Sequence, residues 1–66
     1  MHPYLFYRYT TGRSVPQLEI RQLDGLDQAL AVAKRLLSED PRRIRVVIVR
    51  GDIEVARLER QDVLPA

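Results

Sequence analysis

Cysteine is absent from this 66-residue chain, so no disulfide can form. The one histidine is His2, close to the start, where a structural zinc site has no companion ligands. Glycine occurs only at Gly12, Gly25 and Gly51, each isolated, so no phosphate-cradling loop is present. No apolar run approaches the roughly 18 residues that suggest a membrane span. The opening Met1-His2-Pro3-Tyr4 lacks a basic segment followed by an apolar one, unlike a secretory signal. A cytoplasmic chain with no membrane association, no metal and no cofactor is therefore expected. Catalytic groups are equally scarce. Ser14 and Ser38 have no histidine or lysine at a recognisable spacing, so a nucleophile is not supported and the chain reads as not an enzyme.

Length then sets the physical problem. One domain spanning residues 1–66 is expected, and a domain of this size buries only about 60% of the surface its unfolded chain exposes. Natural chains this short often add a disulfide, a metal or a partner chain. With the first two excluded, self-association or a protein partner is the expected extra support. The hydrophobic fraction of 45% and charged fraction of 30% are those of a folded globular protein. The formal net charge is +2, a small excess that argues only weakly for a nucleic-acid partner. All basic residues but Lys34 are arginine, a bias that a GC-rich genome would also produce.

The order of elements is β-β-α-β-β. Pro3 to Thr10 is dominated by aromatic residues, as strands are, and both of its faces are largely apolar, which suits a central strand. Thr11-Gly12-Arg13-Ser14 reads as a turn. Val15 to Leu23 is a second strand, in which Leu18 and Ile20 alternate with Glu19 and Arg21, giving one wet face. Pro16 cannot donate to a ladder and places this strand at an edge, or itself at a bulge. Asp24 is the expected helix N-cap, with Asp27 three residues on, so capping rather than acid–base chemistry explains both carboxylates. Leu26, Ala29, Leu30, Ala33, Leu36 and Leu37 form one apolar stripe at helical spacing. Pro41 predicts that the helix stops at Ser38 or Glu39. Ile44 to Val49 is the strongest strand signal. Arg50-Gly51-Asp52 is a tight turn with Gly51-Asp52 suited to a type II′ loop, and Ile53 to Leu58 is the returning strand. Residues 61–66 are expected to be a flexible tail, from which Val63 and Leu64 could dock.

These elements predict an α+β fold: a four-stranded, mainly antiparallel sheet with one helix packed on one face. Two orders are open, 1-2-3-4, with strands 2 and 3 as parallel neighbours, and the preferred 2-1-3-4. That order puts the aromatic strand inside and the proline-bearing strand at the edge. With the second hairpin closed at Gly51-Asp52, Ile44, Val46, Ile48, Ile53 and Val55 are expected to meet the helix. Val47, Val49, Ala56 and Leu58 are expected on the opposite face, with Arg45 as a polar neighbour. A register shift of one residue would exchange some of these assignments without emptying the second face. An apolar patch of a few hundred Å² on a small chain usually marks a contact surface.

The leading expectation is thus a small non-catalytic protein-interaction domain, accessory or regulatory, of bacterial or phage type. It would self-associate or bind a protein partner through Val47, Val49, Ala56, Leu58 and Arg45. The alternative is a nucleic-acid-binding protein using an arginine-rich hairpin: Arg42, Arg43, Arg45, Arg50, Arg57 and Arg60, near Tyr4, Tyr7 and Tyr9. The recurring single-strand RNA modules are not matched. The two readings divide on whether these arginines form one uninterrupted positive face or alternate with Glu54 and Glu59. The layout resembles that of several small bacterial domains in topology alone, which implies nothing about function.

Overall fold

In the computed structural model, which describes residues 1–60, four strands form one sheet in the order β2-β1-β3-β4. The strands are β1 (His2–Thr10), β2 (Gln17–Leu23), β3 (Arg43–Arg50) and β4 (Ile53–Glu59), and every neighbouring pair is antiparallel. The helix α1 (Leu26–Glu39) packs on one face. This is the α+β architecture and strand order that the sequence predicts. The expected tail at 61–66, with Val63 and Leu64, lies outside the described residues.

Burial explains the order. Phe6, Val46, Ile48 and Leu37 are the largest fully buried side chains. They come from β1, β3 and α1, so the two most apolar strands lie side by side at the centre with the helix above them. Tyr4, Ala29, Ala33, Leu36 and Leu58 complete this core. The alanines at the contact keep the helix thin enough to approach the sheet closely. Within the predicted stripe only Leu26 is exposed, at the helix entrance.

The helix starts one residue later than expected. Gly25, not Asp24, is the N-cap, and no side chain caps from that position. Asp24 instead forms a reciprocal pair with Gln28, whose Oε1 accepts from the Asp24 backbone N–H at 2.9 Å while its Nε2 donates to Oδ2 at 3.4 Å. This is capping-box logic with the acidic residue displaced one place outward. The exit follows the prediction. Asp40 is extended, as a residue before proline prefers. Its Oδ1 accepts from the Arg42 backbone N–H at 2.9 Å, and Arg43 N–H donates to its carbonyl at 3.0 Å. Asp40-Pro41-Arg42-Arg43 is therefore a β-turn with aspartate and proline at their favoured positions.

Two arginines close the helix C-terminus. Arg43 Nη1 donates to the Leu36 carbonyl at 2.7 Å. The Arg60 guanidinium donates to the Leu37 carbonyl, to the Asp40 carbonyl at 2.7 Å and to the Arg43 carbonyl at 2.6 Å. The last turn carries no basic residue of its own. Cations arriving from β3 and the end of β4 thus satisfy carbonyls that the helix leaves unpaired.

The second hairpin corrects part of the sequence reading. Its loop is Gly51-Asp52, and Gly51 has φ +64° while no non-glycine residue among those described is positive, as a type II′ turn requires. The ladder then slips: Val49 pairs with Glu54 but Ile48 pairs with Ala56, leaving Val55 as a bulge. Strict alternation would have set Arg57 opposite Val46, beneath the helix. Burying an unpaired guanidinium costs far more than one irregular step in a ladder. The bulge sends Arg57 outward and brings Ala56 and Leu58 to the helix side. Ile53 is left 68% exposed and Val55 36%, instead of meeting the helix. A second irregularity, between the Tyr9–Arg45 and Thr10–Arg43 pairs, skips Ile44, which is exposed rather than in the core.

Candidate protein-interaction face

The face of the sheet away from the helix is built in rows, because residues directly opposite in antiparallel strands share a side. One row runs Ile20, Leu5, Val49, Glu54 across β2, β1, β3 and β4. The next runs Leu18, Tyr7, Val47, Arg57. A third runs Tyr9, Arg45, Glu59 from β1 to β4. The three strands β2, β1 and β3 therefore supply an apolar surface, and β4 borders it with charges of alternating sign. None of the described elements packs over this face.

Exposure within the patch is uneven. Ile20 is 60% exposed and Leu18 50%, because β2 is an edge strand with a neighbour on one side only. Leu5, Tyr7, Tyr9 and Val49 are half-buried. Val47 lies on this face as expected, yet it is only 7% exposed, set between Tyr7 and Arg57 in the neighbouring strands. Ala56 and Leu58 do not belong to the patch, since the bulge at Val55 turns them into the core.

Leu18 and Ile20 are the residues that the sequence reading left out. Their alternation with Glu19 and Arg21 suggests a strand with its apolar side on the core. The opposite holds, because pairing with Tyr7 and Leu5 sets Leu18 and Ile20 on the outer face, while the helix lies mainly over β3 and barely reaches β2, so Glu19 and Arg21 are tolerated on its side. On the helix side of that edge, Glu19 pairs with Arg21 and, at 3.5 Å, with Arg8. The signal that could have found them is cross-strand pairing: once Tyr4 and Phe6 go to the core, Leu5 and Tyr7 must face outward, and their partners Ile20 and Leu18 with them.

The arginines of the alternative reading are dispersed, and all but Arg50 are paired with carboxylates or backbone carbonyls. Arg45 Nε donates to Glu59 Oε1 at 2.8 Å, and its guanidinium lies 5.6 Å from the Tyr9 ring centroid. Arg57 Nη2 donates to Glu54 Oε1 at 3.0 Å, and this partner raises the Arg57 pKa further above its ordinary value. Arg43 and Arg60 cap the helix, Arg50 sits 3.1 Å from His2 Nδ1, and Arg42 pairs with Asp40 at 3.4 Å. Hydrogen bonding by the Arg42 backbone N–H holds the Asp40 carboxyl below its ordinary value of 3.8. On the outer face, Arg45 and Arg57 alternate with Glu54 and Glu59 instead of forming one positive track.

Among the described residues, no helix is long and apolar enough to cross a membrane. No protein-family model, no curated protein and no solved structure matches this chain.

Proposed function

We propose that this chain is a small non-catalytic protein-interaction domain that works through the outer face of its sheet, self-associating or binding a protein partner there. The observation that carries this reading is the apolar surface formed by Leu5, Tyr7, Leu18, Ile20 and Val49, left open beside a helix that shelters the other face. Covering the exposed half of Leu18 and Ile20 would contribute about 1 kcal/mol each by area. The border of Glu54, Arg57 and Glu59 supplies the polar rim that such interfaces have. Of the residues that the sequence singles out, Val49 and Arg45 are the accessible ones for this role. Pairing of the arginines with acidic neighbours and helix carbonyls speaks against a phosphate-binding platform, which needs unpaired cations along one track.

Val49→Lys tests the proposal. It places a charge within the patch and leaves the helix contacts untouched. Solution mass across concentration, and capture of proteins from the host by the immobilised chain, are compared between parent and variant at equal helix content by circular dichroism. The variant should lose at least one of the two associations. A parent that stays monomeric and captures nothing, or a variant equal to the parent in both measurements, refutes it. Binding to single-stranded nucleic acid at low salt, with a steep loss as salt rises, would favour the basic hairpin instead.

A further inference from the structure

The edge strand β2 has a property that the open face alone does not explain. It runs Gln17-Leu18-Glu19-Ile20-Arg21-Gln22-Leu23, and its pairing with β1 is regular along its whole length. The opposite edge, β4, is broken by the bulge at Val55, a device that discourages edge pairing. Charges on an edge usually serve the same protective purpose. Here Glu19 and Arg21 flank Ile20 symmetrically, so they protect against some pairings and invite one.

We infer that β2 pairs antiparallel with β2 of a second copy of this chain, about a two-fold axis through Ile20, joining two sheets into one of eight strands. In that register Ile20 meets Ile20, each Glu19 faces the partner copy's Arg21, and each Leu18 faces Gln22. A two-fold axis perpendicular to the sheet requires opposed residues to share a face, so the register can move only by shifting its centre one whole residue. Centring on Glu19 opposes glutamate to glutamate, and centring on Arg21 opposes arginine to arginine; like charges directly opposite destabilise a ladder. Centring on Leu18 or Gln22 leaves only three residues of each β2 (Gln17–Leu23) in the ladder, so strand length and charge pattern together select the register centred on Ile20. Glu19 and Arg21 already lie together on the helix side of the edge with Arg8, so pairing extends an existing network of unlike charges.

The join has a consequence for the open face, and in this it rests on the reading proposed above. Three strands and three rows span an area on the order of 250 Å², well below the roughly 800 Å² per partner of a standard interface. The two-fold axis keeps both helices on one side and merges both open faces on the other. Leu18 and Ile20, the most exposed apolar residues of one copy's patch, then lie at the centre of a doubled surface.

The test exchanges charges between copies. Glu19→Arg and Arg21→Glu each place like charges opposite one another in a dimer of identical chains. Each variant alone should weaken dimerisation about tenfold or more. An equimolar mixture of the two restores unlike charges across the join but not within either chain. Native mass spectrometry of the mixture, with one variant isotopically labelled, should recover dimers containing one copy of each. Amide hydrogen exchange on the parent provides a reading free of substitution: β2 amides should gain protection as concentration rises. The inference is overturned by a parent that is monomeric throughout, by single variants that dimerise as well as the parent, or by a mixture that stays monomeric. The two proposals fail separately. Loss of partner capture in Val49→Lys with unaffected charge variants leaves the open face standing and removes the edge pairing. The reverse pattern removes the face and keeps the edge.

Discussion

Replacing Arg60 by alanine should destabilise the fold far more than replacing the other arginines of its group. The guanidinium donates to the carbonyls of Leu37, Asp40 and Arg43, in part-buried surroundings, and so ties the end of α1 to the end of β4 and the start of β3. A net contribution of about 1.5–3 kcal/mol is typical of a hydrogen bond to a charged group. Three such bonds share one side chain and some solvent, so the expected loss for Arg60→Ala is about 2–3 kcal/mol. Total stability for a chain of this length is roughly 3–10 kcal/mol, so the loss is a large fraction of it. The midpoint of thermal unfolding should fall by roughly 10 °C or more. Circular dichroism melts and urea titrations at one fixed protein concentration measure this, since any dimer would make the midpoint concentration-dependent. Arg42→Ala is the control. Its side chain is 74% exposed and pairs only with Asp40 across a turn, so a change within about 0.5 kcal/mol is expected. If Arg60→Ala and Arg42→Ala melt together, the assignment of Arg60 to the helix C-terminus is wrong.

Deleting Val55 should be tolerated, which is unusual for the interior of a strand. The deletion removes the bulge residue and leaves Ala56 opposite Ile48 and Arg57 opposite Val47, so stability should stay within about 1 kcal/mol of the parent by urea titration; loss of the folded state would show that the bulge does more than correct the register. Deleting Val47 from β3 reverses every later residue of a central strand and should abolish folding, checked by the loss of dispersed amide resonances. Asp40→Asn should be less stable than the parent at neutral pH. The folded carboxyl has its pKa lowered, so its contribution is present above the ordinary value of 3.8 and is lost as pH falls through the lower folded value; the difference in melting midpoint between the two proteins should close in that acid range. A difference that persists unchanged at the lowest pH would mean that the ionised form plays no part.

Sequence alone determined the elements and favoured, without deciding, their order in the sheet. An aromatic strand apolar on both sides, a proline just before the second strand and an unbroken Val46–Val49 run leave few ways to arrange a hairpin, a helix and a hairpin. The helix stripe, its end before Pro41 and the turn at Gly51-Asp52 are local properties, set by spacing and by backbone sterics. It also carried the expectation of a second apolar face, with Val47, Val49 and Arg45 upon it.

Tertiary structure decided which residues of β2 and β4 share that face. A single bulge at Val55 moves Ala56 and Leu58 from one side to the other, and its cause is the cost of setting Arg57 beneath a helix that begins some thirty residues earlier in the chain. The helix lies over β3 rather than β2 because Ala29, Ala33, Leu36 and Leu37 meet Val46 and Ile48; that placement leaves Glu19 and Arg21 uncovered by the core, while pairing with Tyr7 and Leu5 turns Leu18 and Ile20 outward. The roles of Arg43 and Arg60 were hidden for the same reason. Their acceptors are helix carbonyls distant in sequence, and periodicity along the chain carries no information about a hydrogen bond formed between its separated parts.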